Sequence, residues 1–149
     1  MALTNPGIAR GVLNRVRCSV VVPGNTALNI TAPNMGRQLA RIAFEGQLVN
    51  QIPTATGLVN SPEPYVICTV TIALLRTQPI ANAWFAQIQT NSNVQNVTIH
   101  SDTSAFPPIA LQDVVVSRID PGPYDGTNPD FQLVLRGALP VNNNLWSYA

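Results

Sequence analysis

The chain has 149 residues, the length of one domain and enough to bury a core without disulfides or metals. Charged residues make up 10% of it, against about 25% in an average globular protein. There is no lysine, the net charge of +1 gives none of the basic surplus of a nucleic-acid binder, and no apolar run approaches the roughly 20 residues of a membrane-spanning helix.

Two readings follow from the scarcity of charge. One is a plain uncharged β protein, its polarity supplied by Asn, Gln, Thr and Ser. The other is a subunit largely covered by copies of itself, because interface cores lose Lys, Glu and Asp but keep Arg, and lysine guards sheet edges against association. Eight arginines without a lysine are compatible with the second.

Residues 1–14, with Pro6 and Gly7, read as an N-terminal arm. They show no charged-then-apolar signal pattern, so the chain is expected to be made in a reducing cytoplasm. Arg15–Val22 alternates, with Val16, Cys18, Val20 and Val22 on one face. After the turn signal Pro23-Gly24-Asn25, Ala27–Thr31 alternates again, so the two runs predict a hairpin. Pro33-Asn34-Met35-Gly36 breaks the pattern, and Leu39–Val49 predicts a strand with Ile42, Phe44 and Leu48 opposite Arg41, Glu45 and Gln47.

Residues 50–64 predict a long loop between strands, yet they hold Ile52, Leu58 and Val59. Such a segment either folds back over its own core or is an arm that docks on a neighbouring subunit; it is also placed to be the tip of an extended hairpin. Tyr65–Leu75 is the clearest strand, apolar at every even position from Val66 to Leu74 and rich in β-branched residues. It runs into a helix over 78–90, with Thr77 as capping hydroxyl and Pro79 in the donor-free first turn. Ile80, Ala83, Trp84 and Ile88 recur at helical spacing there. Strands follow at Val94–His100, Leu111–Ile119 and Phe131–Arg136, with a strong turn cluster from Pro121 to Gly126. The tail carries Leu145, Trp146 and Tyr148. Seven or eight strands and one helix predict a single mainly β domain with one flanking helix, its two packed antiparallel sheets forming a sandwich or a partly open barrel.

Catalytic chemistry finds little support. His100-Ser101-Asp102-Thr103-Ser104 holds the sole histidine beside an acid and hydroxyls, but triads are assembled from distant parts of a fold, and these residue types after a strand make a turn. One histidine and two distant cysteines, Cys18 and Cys68, do not make a ligand set, and both thiols are expected buried and free. Asp120, Asp125 and Asp130 miss the calcium-loop spacing. No phosphate-cradling glycine loop exists, so no cofactor is expected. Arg15, Arg17 and Arg41 project from polar strand faces that are either solvated or line a passage.

The layout over roughly residues 10–140 resembles a tail tube subunit of a tailed bacteriophage or a phage-derived contractile particle. The likeness is carried by the paired strands, the long hairpin, the strand-into-helix stretch Leu74-Leu75-Arg76-Thr77-Gln78-Pro79-Ile80-Ala81-Asn82-Ala83-Trp84, and the Asp102–Asp120 segment with its Ala105-Phe106-Pro107 loop. The resemblance implies a virion protein assembled in the host cytoplasm as hexameric rings stacked into a tube through which DNA passes without sequence-specific binding. Its partners would be itself, with sheath, baseplate and terminator proteins, and no membrane. It implies inter-ring contact through Ile52, Leu58 and Val59, subunit packing through Ile80, Trp84, Phe85 and Ile88, and a lumen face bearing Arg15, Arg17, Arg41 and Glu45. Such lumens are often acidic, and this chain departs from that with only seven acids. The alternatives are another ring-forming virion component, such as a tail terminator or decoration protein, or a ligand-binding β-sandwich, to which the Tyr124–Asp130 loop would belong.

Overall fold

The computed structural model describes residues 17–103 and 105–144. The expectations for the arm over 1–14, for Arg15 and for Leu145, Trp146 and Tyr148 lie outside them. The chain is mainly β with one helix, in two sheets, the larger of which curls into a half-barrel. Eight strands are formed by the described residues: β1 (Cys18–Val21), β2 (Met35–Glu45), β3 (Val49–Pro53), β4 (Leu58–Pro62), β5 (Tyr65–Leu75), β6 (Asn93–Ser101), β7 (Ile109–Asp120) and β8 (Asp130–Pro140). The helix α1 spans Pro79–Thr90 between β5 and β6. Strands β1-β6-β7-β8-β5-β2 make the large antiparallel sheet, and β3-β4 form a separate two-stranded one.

The alternation in β5 is realised residue by residue. Val66, Cys68, Val70, Ile72 and Leu74 are all buried, while the odd positions from Ile67 onward are half-buried on the opposite face. Antiparallel partners share a face, so Leu133 and Leu135 of β8, opposite Ile72 and Val70, extend the same core layer. Leu111, Val114, Val97 and Val20 continue it around the curl, and Trp84, Ile80 and Ala81 of α1 close it from above. At the sheet's ends the curl brings β1 back toward β2, with Cys18 Sγ 3.5 Å from Met35 Sδ. Both cysteines are free, Cys68 buried as expected but Cys18 only half-buried, and burial pushes both thiols above their ordinary range. A Cβ on Gly137 would sit 2.6 Å from Val114 Cγ2, so only glycine lets β8 approach β7 where the latter bulges, at Asp113 with φ +52°.

Three local expectations are corrected. The Ala27–Thr31 run is not a strand: Thr26–Leu28 and Ala32–Asn34 are 3-10 turns, and Ile30 alone keeps a bridge, to Val20. The amide side chains explain this, since Asn25 accepts from Ala27 N–H at 3.2 Å and Asn29 accepts from Val22 N–H at 2.8 Å, offering the backbone an alternative to a ladder. β1 pairs instead with β6. Gln78 stands at the N-cap position of the helix and makes no side-chain cap bond, so Thr77 is not its cap, although Pro79 does occupy its first turn. The segment over 50–64 is not a loop but, as the alternative of an extended hairpin had it, contains most of the β3–β4 hairpin at the tip of the long β2–β5 hairpin.

Candidate functional site

The β3–β4 hairpin is exposed at every residue of β3 and at all but the last of β4. Its register puts Ile52 directly opposite Val59 on one face and Leu58 opposite Pro53 on the other. The three expected contact residues therefore divide between both faces, at 45%, 53% and 64% exposure for Ile52, Val59 and Leu58. The tip is closed by Thr54, whose N–H donates to Gly57 O at 2.8 Å and whose hydroxyl oxygen accepts from Gly57 N–H at 3.0 Å. At its base Asn142 donates to Leu48 O at 2.9 Å and to Glu63 O at 2.7 Å. Apolar side chains thus stand on both faces of the hairpin, uncovered by the rest of the described chain. Of the eleven large apolar side chains that are exposed among the described residues, seven lie between Phe44 and Tyr65.

The helix behaves otherwise than expected. Trp84 is wholly buried, and Ile80 is buried beside it in the chain's own core, so neither can meet a neighbour; Ile88 is half-buried and Phe85 is 40% exposed. The amphipathic spacing located the helix, but its apolar stripe serves the subunit itself. Phe85 lines an open cavity of about 720 Å³ with Ala81, Asn82, Pro121, Tyr124, Asp125 and Phe131 among its walls. Tyr124 is 88% exposed, with the Arg76 guanidinium 4.9 Å from its ring centroid. Arg76 also donates to Pro123 O, and its own N–H to Pro129 O at 2.9 Å. Asp120 accepts from Gly122 N–H, Asp125 from both the N–H and the hydroxyl of Thr127, and Asn128 from Asp130 N–H. These aspartates and Asn128 serve as turn braces, and the Asp125 carboxyl is held below its ordinary range by the two Thr127 bonds first, then by Asn128 and Arg76.

The expected lumen residues separate. Arg41 and Glu45 do share the face of the large sheet that points away from the core, since Arg41 pairs with Thr71 and Glu45 with Ile67. Arg17 stands beside β1, at the other end of the strand order from β2, with its backbone N–H and C=O tied to Asp102 at 3.0 and 3.1 Å. Arg17 thus lies outside any strand hydrogen-bonded to β2, although the curl brings the adjacent Cys18 against Met35 at the start of β2. Two further arginines share that face, Arg136 on β8 and Arg118 on β7, because Thr71 pairs with Val134 and Val134 with Arg118, while Thr69 pairs with Arg136. Their membership follows from β8 sitting between β5 and β7, which no local pattern encodes.

Glu45 is the anchor of that face. It accepts from the Thr69 hydroxyl at 2.6 Å and pairs with Arg136 at 2.9 Å. The Thr69 bond, with help from Arg136, holds its carboxyl below the ordinary glutamate value of 4.5. A carboxylate so lowered stabilises the fold above its unfolded value, and the contribution is lost as the pH falls through the lowered one. Thr69→Val should therefore narrow its deficit against the wild type as the pH drops below about 4.5, read from urea midpoints across pH; a deficit constant across the range would detach Thr69 from the carboxylate.

The His100–Ser104 cluster serves the same bracing role over its described part. Asp102 holds Arg17, and Ser101 Oγ accepts from Thr103 N–H at 3.3 Å. Among the described residues no group of three His, Cys, Asp or Glu is placed to hold a metal, and no helix is long and apolar enough to cross a membrane. No protein-family model matches the sequence, and no curated protein matches it.

Proposed function

We propose that the chain is a structural virion subunit that self-assembles into hexameric rings stacked as a tail tube, a conduit for DNA. The observation that carries this reading is the β3–β4 hairpin, exposed on both faces and uncharged from Gly46 to Pro62. Natural proteins guard exposed strand edges with lysine or other charge, and here the guard is missing. A second support is the open edge of the large sheet. Among the described residues β2, eleven residues long, pairs only with β5. Edge pairing between copies would close a ring and leave no strand exposed. The face bearing Arg41, Arg118, Arg136 and Glu45 then lines the passage, with Glu45 neutralised by Arg136 and with Asp120 and Asp130 on the same face. That lining differs from an acidic one and would make DNA transit sensitive to salt.

Negative-stain electron microscopy of the purified protein tests the reading. Rings or tubes of uniform width are expected. Single rings that never stack at any concentration would favour the terminator or decoration alternative. A monodisperse monomer at every concentration and salt would remove the assembly reading altogether.

A further inference from the structure

We propose that the β3–β4 hairpin of one copy seats in the cavity walled by α1 and the loop over 121–129 of the next copy. This rests on the self-assembly reading and names the surface that receives the hairpin.

The two features stand at opposite ends of one strand. The hairpin leaves the sheet beside Tyr65, the first residue of β5, and the cavity begins at Arg76, directly after its last residue, Leu75. Eleven strand residues separate them by about 33 Å. A donor at one end and an acceptor at the other make a heterologous contact, which repeats in one direction and stays open where the rotation does not close a ring. That polarity is what stacking requires, and an isologous pair of hairpins would end after two copies.

The chemistry of the two surfaces matches. The hairpin carries no charge and shows Leu58 and Pro53 on one face, Ile52 and Val59 on the other. Apolar groups on both faces suit insertion between two walls better than lying on a flat surface. The cavity offers the apolar surfaces of Phe85, Phe131 and Pro121. Its charged side chains, Arg76 and Asp125, are opposite in sign and already engaged, Arg76 with Tyr124 and Pro123 O, and Asp125 with Thr127. A phosphate or a cation would have to displace those partners, whereas an uncharged peptide need not. The braced loop also makes the cavity preformed, which lowers the ordering cost of docking. Tyr124 and Arg76 are of the side-chain types that dominate binding energy at contacts.

One hairpin in one cavity is smaller than the roughly 800 Å² per partner of a stable interface. A ring presents several hairpins at once, so stacking gains from multivalency and depends steeply on ring integrity.

The test uses two full-length variants, Leu58→Asp and Tyr124→Asp, purified separately. Both positions are well exposed, at 64% and 88%, so unchanged circular dichroism and unfolding midpoints are expected. Each variant alone should form rings but need at least about tenfold more protein to grow tubes than the wild type, the scale of a hot-spot loss. Mixing the two ring populations leaves one sound junction, hairpins of the Tyr124→Asp rings in cavities of the Leu58→Asp rings, so two-ring particles that grow no further should appear. If Tyr124→Asp stacks like the wild type while Leu58→Asp does not, the hairpin docks elsewhere and the proposal is overturned, with the assembly reading intact. If the wild type itself stays monomeric, the assembly reading falls and this proposal with it.

Discussion

Alanine at position 84 should cost the fold about 3–5 kcal/mol, the range for deleting a fully buried Trp side chain. Trp84 is 0% exposed and sits among Ile80, Ala81 and the β5 layer, so the void left by an indole could collapse only if α1 shifted bodily. Phenylalanine at the same position should cost far less. Trp84 Nε1 is buried with no acceptor among the described residues, and a buried unpaired donor carries a penalty of about 1–3 kcal/mol that phenylalanine removes while keeping most of the ring. Guanidinium midpoints below the assembly concentration measure both. Should Trp84→Ala leave the midpoint untouched and weaken particle formation instead, Trp84 would belong to a subunit contact after all. Should Trp84→Phe cost as much as Trp84→Ala, the indole N–H has a partner that matters.

The same residue shows what the sequence could and could not reveal. Helical spacing from Ile80 to Ile88 located α1 to within one residue at its start, because a 3.6-residue period is a local property. Which object that stripe packs against is not local. A stripe of this kind fits its own sheet or a neighbour's equally well, and only the contacts of Trp84 with the core decide. Tyr65–Leu75 was legible for a similar reason, since its period of two and the stop at Arg76-Thr77 are both written in the strand itself. The hairpin was obscured by Pro53, Pro62 and Gly57, which read as loop signals. Both prolines stand at the outermost pairs of the β3–β4 ladder, Pro53 with Leu58 and Pro62 with Val49, positions at a strand's end where a missing N–H is tolerated.

The polar face was half legible. Arg41 and Glu45 alternate along one strand, so their common side followed from the pleat. Arg118 and Arg136 join them through a strand order that places β8 between β5 and β7, information held in long-range pairing. The cavity is a further step removed. It needs Arg76 from the end of β5, Phe85 from α1 and Tyr124 from the β7–β8 connection to converge, and the sequence showed only that the Tyr124–Asp130 loop put an aromatic beside acids.

Replacing Ile52–Val59 with an Asn-Gly turn should leave the domain's stability within about 0.5 kcal/mol of the wild type, as for surface changes without a structural role, while abolishing tubes. The graft keeps Gln51 opposite Asn60, the spacing a two-residue hairpin turn bridges, and Asn-Gly supplies the positive φ values such a turn needs. None of the removed residues is even half-buried, and the Asn142 bonds to Leu48 and Glu63 lie below the cut. The core should therefore not register the change, and β circular dichroism should be unaltered. On the proposed reading ring formation uses the edge of the large sheet and not the hairpin tip, so single rings should persist where the wild type is expected to make tubes. Unfolding of the shortened chain would make the segment part of the core, and tubes of normal length would show that stacking uses another surface. Only the combination of an intact fold, intact rings and lost stacking assigns the hairpin to contact between rings.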